Sequence, residues 1–179
     1  MRTTWRWPRD HDEGDLIVSE MDEVIPALVA AVQEQHATGD HYRDDAIRQA
    51  MEHQAQLALR PGPVRVDVIV DPPWSDGQIN SVQVVTGDRP FLVDTVASCL
   101  LRHGWRVEDV RHPIIGVKRD RGTIEAVGTP GRGGCASESW IHIDVTAPLG
   151  TDIGQAAEQL RDDLCACLDQ VVCLSLIHI

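Results

Sequence analysis

Between Val84 and Gly104 the chain reads VVTGDRPFLVDTVASCLLRHG. A strand ends here, a turn follows through Gly87, Asp88, Arg89 and Pro90, and an amphipathic helix begins. A glycine turn that opens a helix presents free backbone N–H groups at the positive end of the helix dipole, so it can hold an anion. The turn is not a dinucleotide fingerprint, because GxGxxG is absent, and not a P-loop, because no GK[ST] follows. Asp88 suits the N-cap and Pro90 the first turn, and such a cap is worth about 1 kcal/mol. Leu92, Val93, Val96, Ala97 and Leu100 form the apolar face of the helix, and Asp94, Thr95, Ser98 and Arg102 the wet one. Packing alone accounts for the helix; a small ligand at its open amides is the second use the turn allows.

Other reactive groups are less pointed. GTPGRGG, residues 128–134, has the glycines and the arginine of a phosphate cradle, but no helix follows it, so it reads as a hairpin tip. His103, His112 and His142 invite a metal reading, yet no HxH or HExxH spacing joins them, and no metal site is expected. The five cysteines, Cys99, Cys135, Cys165, Cys167 and Cys173, contain no CxxC pair. They read as reduced thiols of a cytoplasmic protein. GxSxG is absent and Lys118 is the sole lysine, so no catalytic residue is expected in this chain.

The elements that must position these groups follow from periodicity. Helical spacing runs from Ser19 to His36, with Pro26 favouring a start nearer Ile25, and again from Tyr42 to Leu59, where the apolar stripe is thin. Pro61-Gly62-Pro63 stops the second helix. Val64 to Val70 alternates as a strand with one buried face. Ile79 to Thr86 is the next strand, and Trp105 to Lys118 a long third one of undecided register, with Pro113 marking a bulge or an edge. RDRG, residues 119–122, turns into a return strand that begins at Thr123, is interrupted by the glycine tip, and resumes in ESWIHIDV. There Ile141, Ile143 and Val145 face one way, and Trp140, His142 and Asp144 the other. A last helix covers Asp152 to Val172. From Ile79 the order is strand, helix, strand, strand, helix: a ferredoxin-like α+β unit with helices on one face of an antiparallel sheet, short of its last strand. Val64 to Val70 is the candidate for that empty edge. The expected organisation is a helical segment over residues 1–62, an α+β domain over 63–172 and a short tail over 173–179.

A net charge of −12 disfavours nucleic acid and anionic membranes as partners, and no apolar run approaches the roughly 20 residues of a membrane helix. The N-terminus has no secretory pattern. At the other end LSLIHI, Leu174 to Ile179, matches the translation of a sequencing-adaptor sequence, so the tail is expected to be non-native and the chain a fragment of a longer frame.

Three blocks in order, TGDRPFLVD, then VRHPIIGVKRDRG, then ESWIHIDV, together resemble the N-terminal region of the large NAD-specific glutamate dehydrogenases of bacteria. The similarity runs from Val24 to Val172 and rests on Phe91, Leu92, Val93, Asp94, His112, Pro113, Glu138, Ser139 and Trp140. It implies an ACT-like domain of ferredoxin-like fold with a regulatory or assembly role, an amino-acid effector, and partners among the other domains or subunits of a homo-oligomer. The parent reaction it implies is oxidation of L-glutamate to 2-oxoglutarate and ammonia with hydride transfer to NAD. In that family the catalytic lysines and the NAD-binding domain lie downstream, so no cofactor is expected here. Gly87 and Arg89 stand where the family usually has Asp and Met. The alternative is a free-standing ACT-type domain that binds an amino acid.

Overall fold

A computed structural model describes residues 16–17, 21–35, 44–75 and 77–177, with side chains for 23–35, 45–75 and 77–173. In chain order the elements are β1 (Leu16–Ile17), α1 (Met21–Gln35), α2 (Asp44–Ala58), β2 (Val64–Ile69), β3 (Asn80–Gly87), α3 (Leu92–Arg102), β4 (Arg106–Arg111), β5 (Ile114–Asp120), β6 (Thr123–Gly128), β7 (Ala136–Thr146) and α4 (Ile153–Ile177). All strand pairs are antiparallel, in the order β1-β6-β5-β7-β3-β2, with β4 also on β7. β2 lies outside β3, at the edge that the missing last strand would take, so the ferredoxin-like sheet is closed from the N-terminal side.

Period-2 alternation explains the layers. On one face Val66, Val82, Val84, Ile141, Ile143 and Val145 pack against Leu92, Val96 and Leu100 of α3 and Leu160, Leu164 and Leu168 of α4. These are the two helices of the ferredoxin-like unit. The opposite face is covered as well: Val85, Ile115, Val117 and Trp140 pack on Val24, Leu28 and Val32 of α1 and Met51, Ala55 and Leu57 of α2. The polar side of β2 is therefore not open to water. Arg65 is buried on it, and Asp67 meets His53 of α2 at 3.6 Å and Arg60 at 3.3 Å. α1 begins at Met21 and carries Pro26 inside it rather than in its first turn.

The long strand expected over Trp105 to Lys118 is two strands. Proline has no N–H to give the ladder, and the chain breaks at His112-Pro113. The Pro113 carbonyl still accepts the Trp140 N–H at 3.0 Å. Both pieces thus stay on the same edge of β7, β5 against residues 136–139 and β4 against 142–146. Pro113, Ile115 and Val117 turn inward, while β4 is exposed from Arg106 to Val110.

The interrupted return strand is also corrected. β6 and β7 are separate strands on opposite sides of β5. The loop between them is no hairpin tip: it crosses over β5 and is folded on itself by bonds from Arg132 N–H to Thr129 O and from Cys135 N–H to Arg132 O. The local sequence cannot show this, because only the non-local pairings Gly116↔Gly128 and Val117↔Ala136 fix it. Gly116 lies under the crossing, where a Cβ would stand 2.3 Å from the Gly128 carbonyl oxygen and 2.7 Å from the Pro130 nitrogen. Both obstacles are backbone, so neither can rotate away. Gly116→Ala is expected to destabilise the fold by about 3 kcal/mol. Urea denaturation with an unchanged midpoint would show that the loop does not rest on β5.

Candidate functional site

The three sequence blocks meet at one point on β7. Ser139 is paired with Thr86 of β3 on one side and Ile114 of β5 on the other. That register brings the GDRP turn and the His-Pro break to its two flanks. The Asp88 N–H donates to Ser137 O at 2.8 Å, the Ser139 hydroxyl donates to Asp88 Oδ1 at 2.6 Å, and His112 Nε2 lies 3.0 Å from Ser139 Oγ. A hydroxyl has one proton. With it committed to Asp88, the oxygen accepts from His112 Nε2–H. Desolvation holds the His112 imidazole below its ordinary pKa, and the Asp88 charge opposes that shift.

This order is the reverse of nucleophilic catalysis, where the base must accept the hydroxyl proton and a carboxylate must stand behind the base. Ser139 is also fully buried. The cluster is a joint that fixes a turn and a strand break to the central strand. Its neighbours on β7 point to the other face. Glu138 takes Arg119 side-on, Nε at 2.6 Å and Nη2 at 3.0 Å, and Trp140 Nε1 lies 3.4 Å from Glu138 Oε2.

Asp88 therefore does not cap α3. The N-cap is Phe91, in the left-handed region at φ 67°, and no side chain caps the helix. The Phe91 carbonyl receives the Thr95 N–H at 2.9 Å and the Thr95 hydroxyl at 2.8 Å. The Phe91 side chain is 75% exposed, while Leu92 is buried, Val93 half-buried and Asp94 exposed. Arg89 Nη1 donates to the Asp88 carbonyl at 2.7 Å, across the turn.

The three histidines part company. His103 pairs with Asp163 of α4 at 2.7 Å, His112 joins Ser139, and His142 is buried under α2. Among the described residues no group of three His, Cys, Asp or Glu side chains is arranged to hold a metal ion.

Sequence reasoning missed the polar layer beneath α2. Gln83 Nε2 reaches Ala50 O at 2.8 Å and His142 Nδ1 at 3.0 Å, and Gln83 Oε1 meets His53 Nδ1 at 2.8 Å. His142 Nε2 then meets Asp144 Oδ1 at 3.0 Å, and Arg111 reaches Asp144 Oδ2 at 2.7 Å. Gln54 bridges the carbonyls of Val84 and Ile141. The signal was present: the thin apolar stripe of α2 faces a strand face that alternates polar residues, Ser81 and Gln83 beside His142 and Asp144. Accepting from Gln83 at Nδ1 leaves His142 neutral, and burial drives its pKa down against the pull of Asp144.

A family model described as glutamate dehydrogenase, ACT1 domain, matches residues 27–164, which takes in the three blocks and nearly every element.

Ser139→Ala leaves Asp88 and His112 without their shared partner. It is expected to lower stability by about 1–2 kcal/mol, read as a urea midpoint shift, and no shift would mean that the joint carries no weight. His142 gives a pH dependence. Its pKa is depressed on folding, so the unfolded chain binds the proton first. Stability is full above the unfolded value of about 6.5 and falls as pH drops toward the folded pKa. Between about pH 7.5 and pH 5.5 the His142→Gln variant should lose roughly 1 kcal/mol less than the wild type. Equal losses in both chains would show that His142 is protonated in the fold.

Proposed function

The chain belongs to the glutamate dehydrogenase ACT1 domain family, and on that footing we propose that it is a regulatory and assembly region of an NAD-dependent glutamate dehydrogenase that does no chemistry itself. The parent reaction is oxidation of L-glutamate to 2-oxoglutarate and ammonia, with the catalytic groups and NAD held by other parts of the enzyme. The setting is a bacterial cytoplasm. Among the described residues no helix is long and apolar enough to cross a membrane.

The observation that carries the regulatory reading is the start of α3. A non-glycine residue in the left-handed region costs roughly 1–2 kcal/mol, and Phe91 bears that cost while its ring stands in solvent. Behind it the first-turn amides have no capping side chain. Uncapped amides at a helix N-terminus suit a carboxylate, and an exposed aromatic ring suits the apolar part of the same molecule. An amino acid has both. The Ser139–Asp88 bond holds the turn in place for it, in the role that a cap would otherwise take from Asp88. Assembly uses the free edge of β4. Val107 and Val110 are exposed there, and Arg106–Glu108 at 2.6 Å and Arg111–Asp109 at 3.1 Å neutralise the charges within the strand. A second copy meets no net repulsion at that edge despite the acidity of the whole.

Calorimetric titration of the L-amino acids into the 179-residue chain tests this. Saturable heat is expected for at least one of them, weakened several-fold in Phe91→Ala. Absence of heat for all would remove the effector role and leave assembly alone.

A further inference from the structure

On the face opposite Ser139, Arg65 of β2 lies in a row with Val85 of β3 and Trp140 of β7. The next row holds Gly87 and Glu138. Arg65 is only 6% exposed, so its guanidinium must be compensated by the protein or by something else. The protein supplies little. Nε donates to the Arg60 carbonyl just past the end of α2 at 2.6 Å. Among the described residues Arg65 has no ion pair and its two Nη groups have no hydrogen bond, yet neither is sealed from solvent. Glu138, the carboxylate whose charge acts on Arg65, is taken up side-on by Arg119, whose remaining Nη1 donates to Gly122 O at 3.1 Å. Burial and the Arg119 charge both push Arg65 below its ordinary pKa, and Glu138 only partly restores it. Arg65, Arg119 and Glu138 together therefore carry one net positive charge.

Beside it there is room. Gly87 occupies the sheet position opposite Glu138, and a Cβ built on it meets no atom within 4 Å. A side chain on that strand would fill the space; glycine leaves it open on the sheet face that carries Arg65, two residues on from Val85, the pairing partner of Arg65. We propose that the space over Gly87 is a binding site for a small monocarboxylate, held by the Nη groups of Arg65 with the Arg119–Glu138 pair as its neutral wall. One free guanidinium edge matches one carboxylate in the side-on geometry that Arg119 already makes with Glu138. A dianion such as phosphate fits worse, since Glu138 borders the space. The site lies across the sheet from the start of α3 and does not depend on a ligand there.

Thermal melting of the full 179-residue chain in sodium formate, against sodium chloride and sodium phosphate at equal ionic strength, tests the site. At roughly 100 mM, formate is expected to raise Tm by about 3 °C over chloride. Gly87→Asp sets a carboxylate into the space, so it should melt above the wild type and lose the formate increment. Gly87→Asn fills the space without charge and should lose the increment with no gain in Tm. Arg65→Gln should also be insensitive to formate. A wild type indifferent to formate, an increment that persists in the Gly87 variants, or a phosphate effect as large as that of formate would overturn the proposal.

Discussion

Everything in this fold hangs on β7. It is flanked on both edges, by β3 over Glu138–Val145 on one side and by β5 over residues 136–139 followed by β4 over 142–146 on the other. It is buried on both faces from Glu138 to Val145. A central strand covered on both sides cannot leave polar groups unpaired, because each unpaired buried group costs about 1–3 kcal/mol. Its sequence, ESWIHIDV, nonetheless puts Glu138, Ser139, His142 and Asp144 inside. The surrounding structure answers each of them: Arg119 for Glu138, Asp88 and His112 for Ser139, Gln83 for His142, Arg111 for Asp144. These partners come from β3, its turn, β4, β5 and the break between them, so strand polarity dictates where the rest of the sheet must lie.

That dependence brings together three short blocks that lie far apart in the chain. Asp88 of GDRP, His112 of HP and Ser139 of ESW form one joint, and losing the Ser139 hydroxyl would leave the other two without their shared partner. Their chemistry is that of positioning. The hydroxyl proton points to a carboxylate, the imidazole donates, and the product is a turn held rigidly at the sheet end. Beside that turn the backbone is strained at Phe91 and the first amides of α3 are uncapped.

Alternation and glycine-proline punctuation showed most of the strands and helices, because these features are local, and the strand-helix order left β2 as the candidate for the open edge. What escaped the sequence was non-local. Asp88 has the side chain of an N-cap, and its competing partner Ser139 lies 51 residues away. The glycine-rich loop looks like any hairpin tip until two strand registers carry it over Gly116. The His112-Pro113 break hides in a run that stays on one edge of β7. The polar half of α2 gives the impression of a solvent face because charge and amide groups are solvated in most helices; here a polar sheet face lies beneath it.

The place of β7 late in the chain has a consequence for synthesis. Five longer strands, β2 to β6, leave the ribosome before it, and β3 has only β2 to pair with until residues 136–146 emerge. Until then Val82 and Val84 on one face and Val85 on the other lie on a strand with an open edge, the kind of surface on which nascent chains stick to one another. The pairings that join the β2–β3 and β5–β6 pairs into one sheet therefore come last, from contacts of long sequence separation, which is the slow regime of folding.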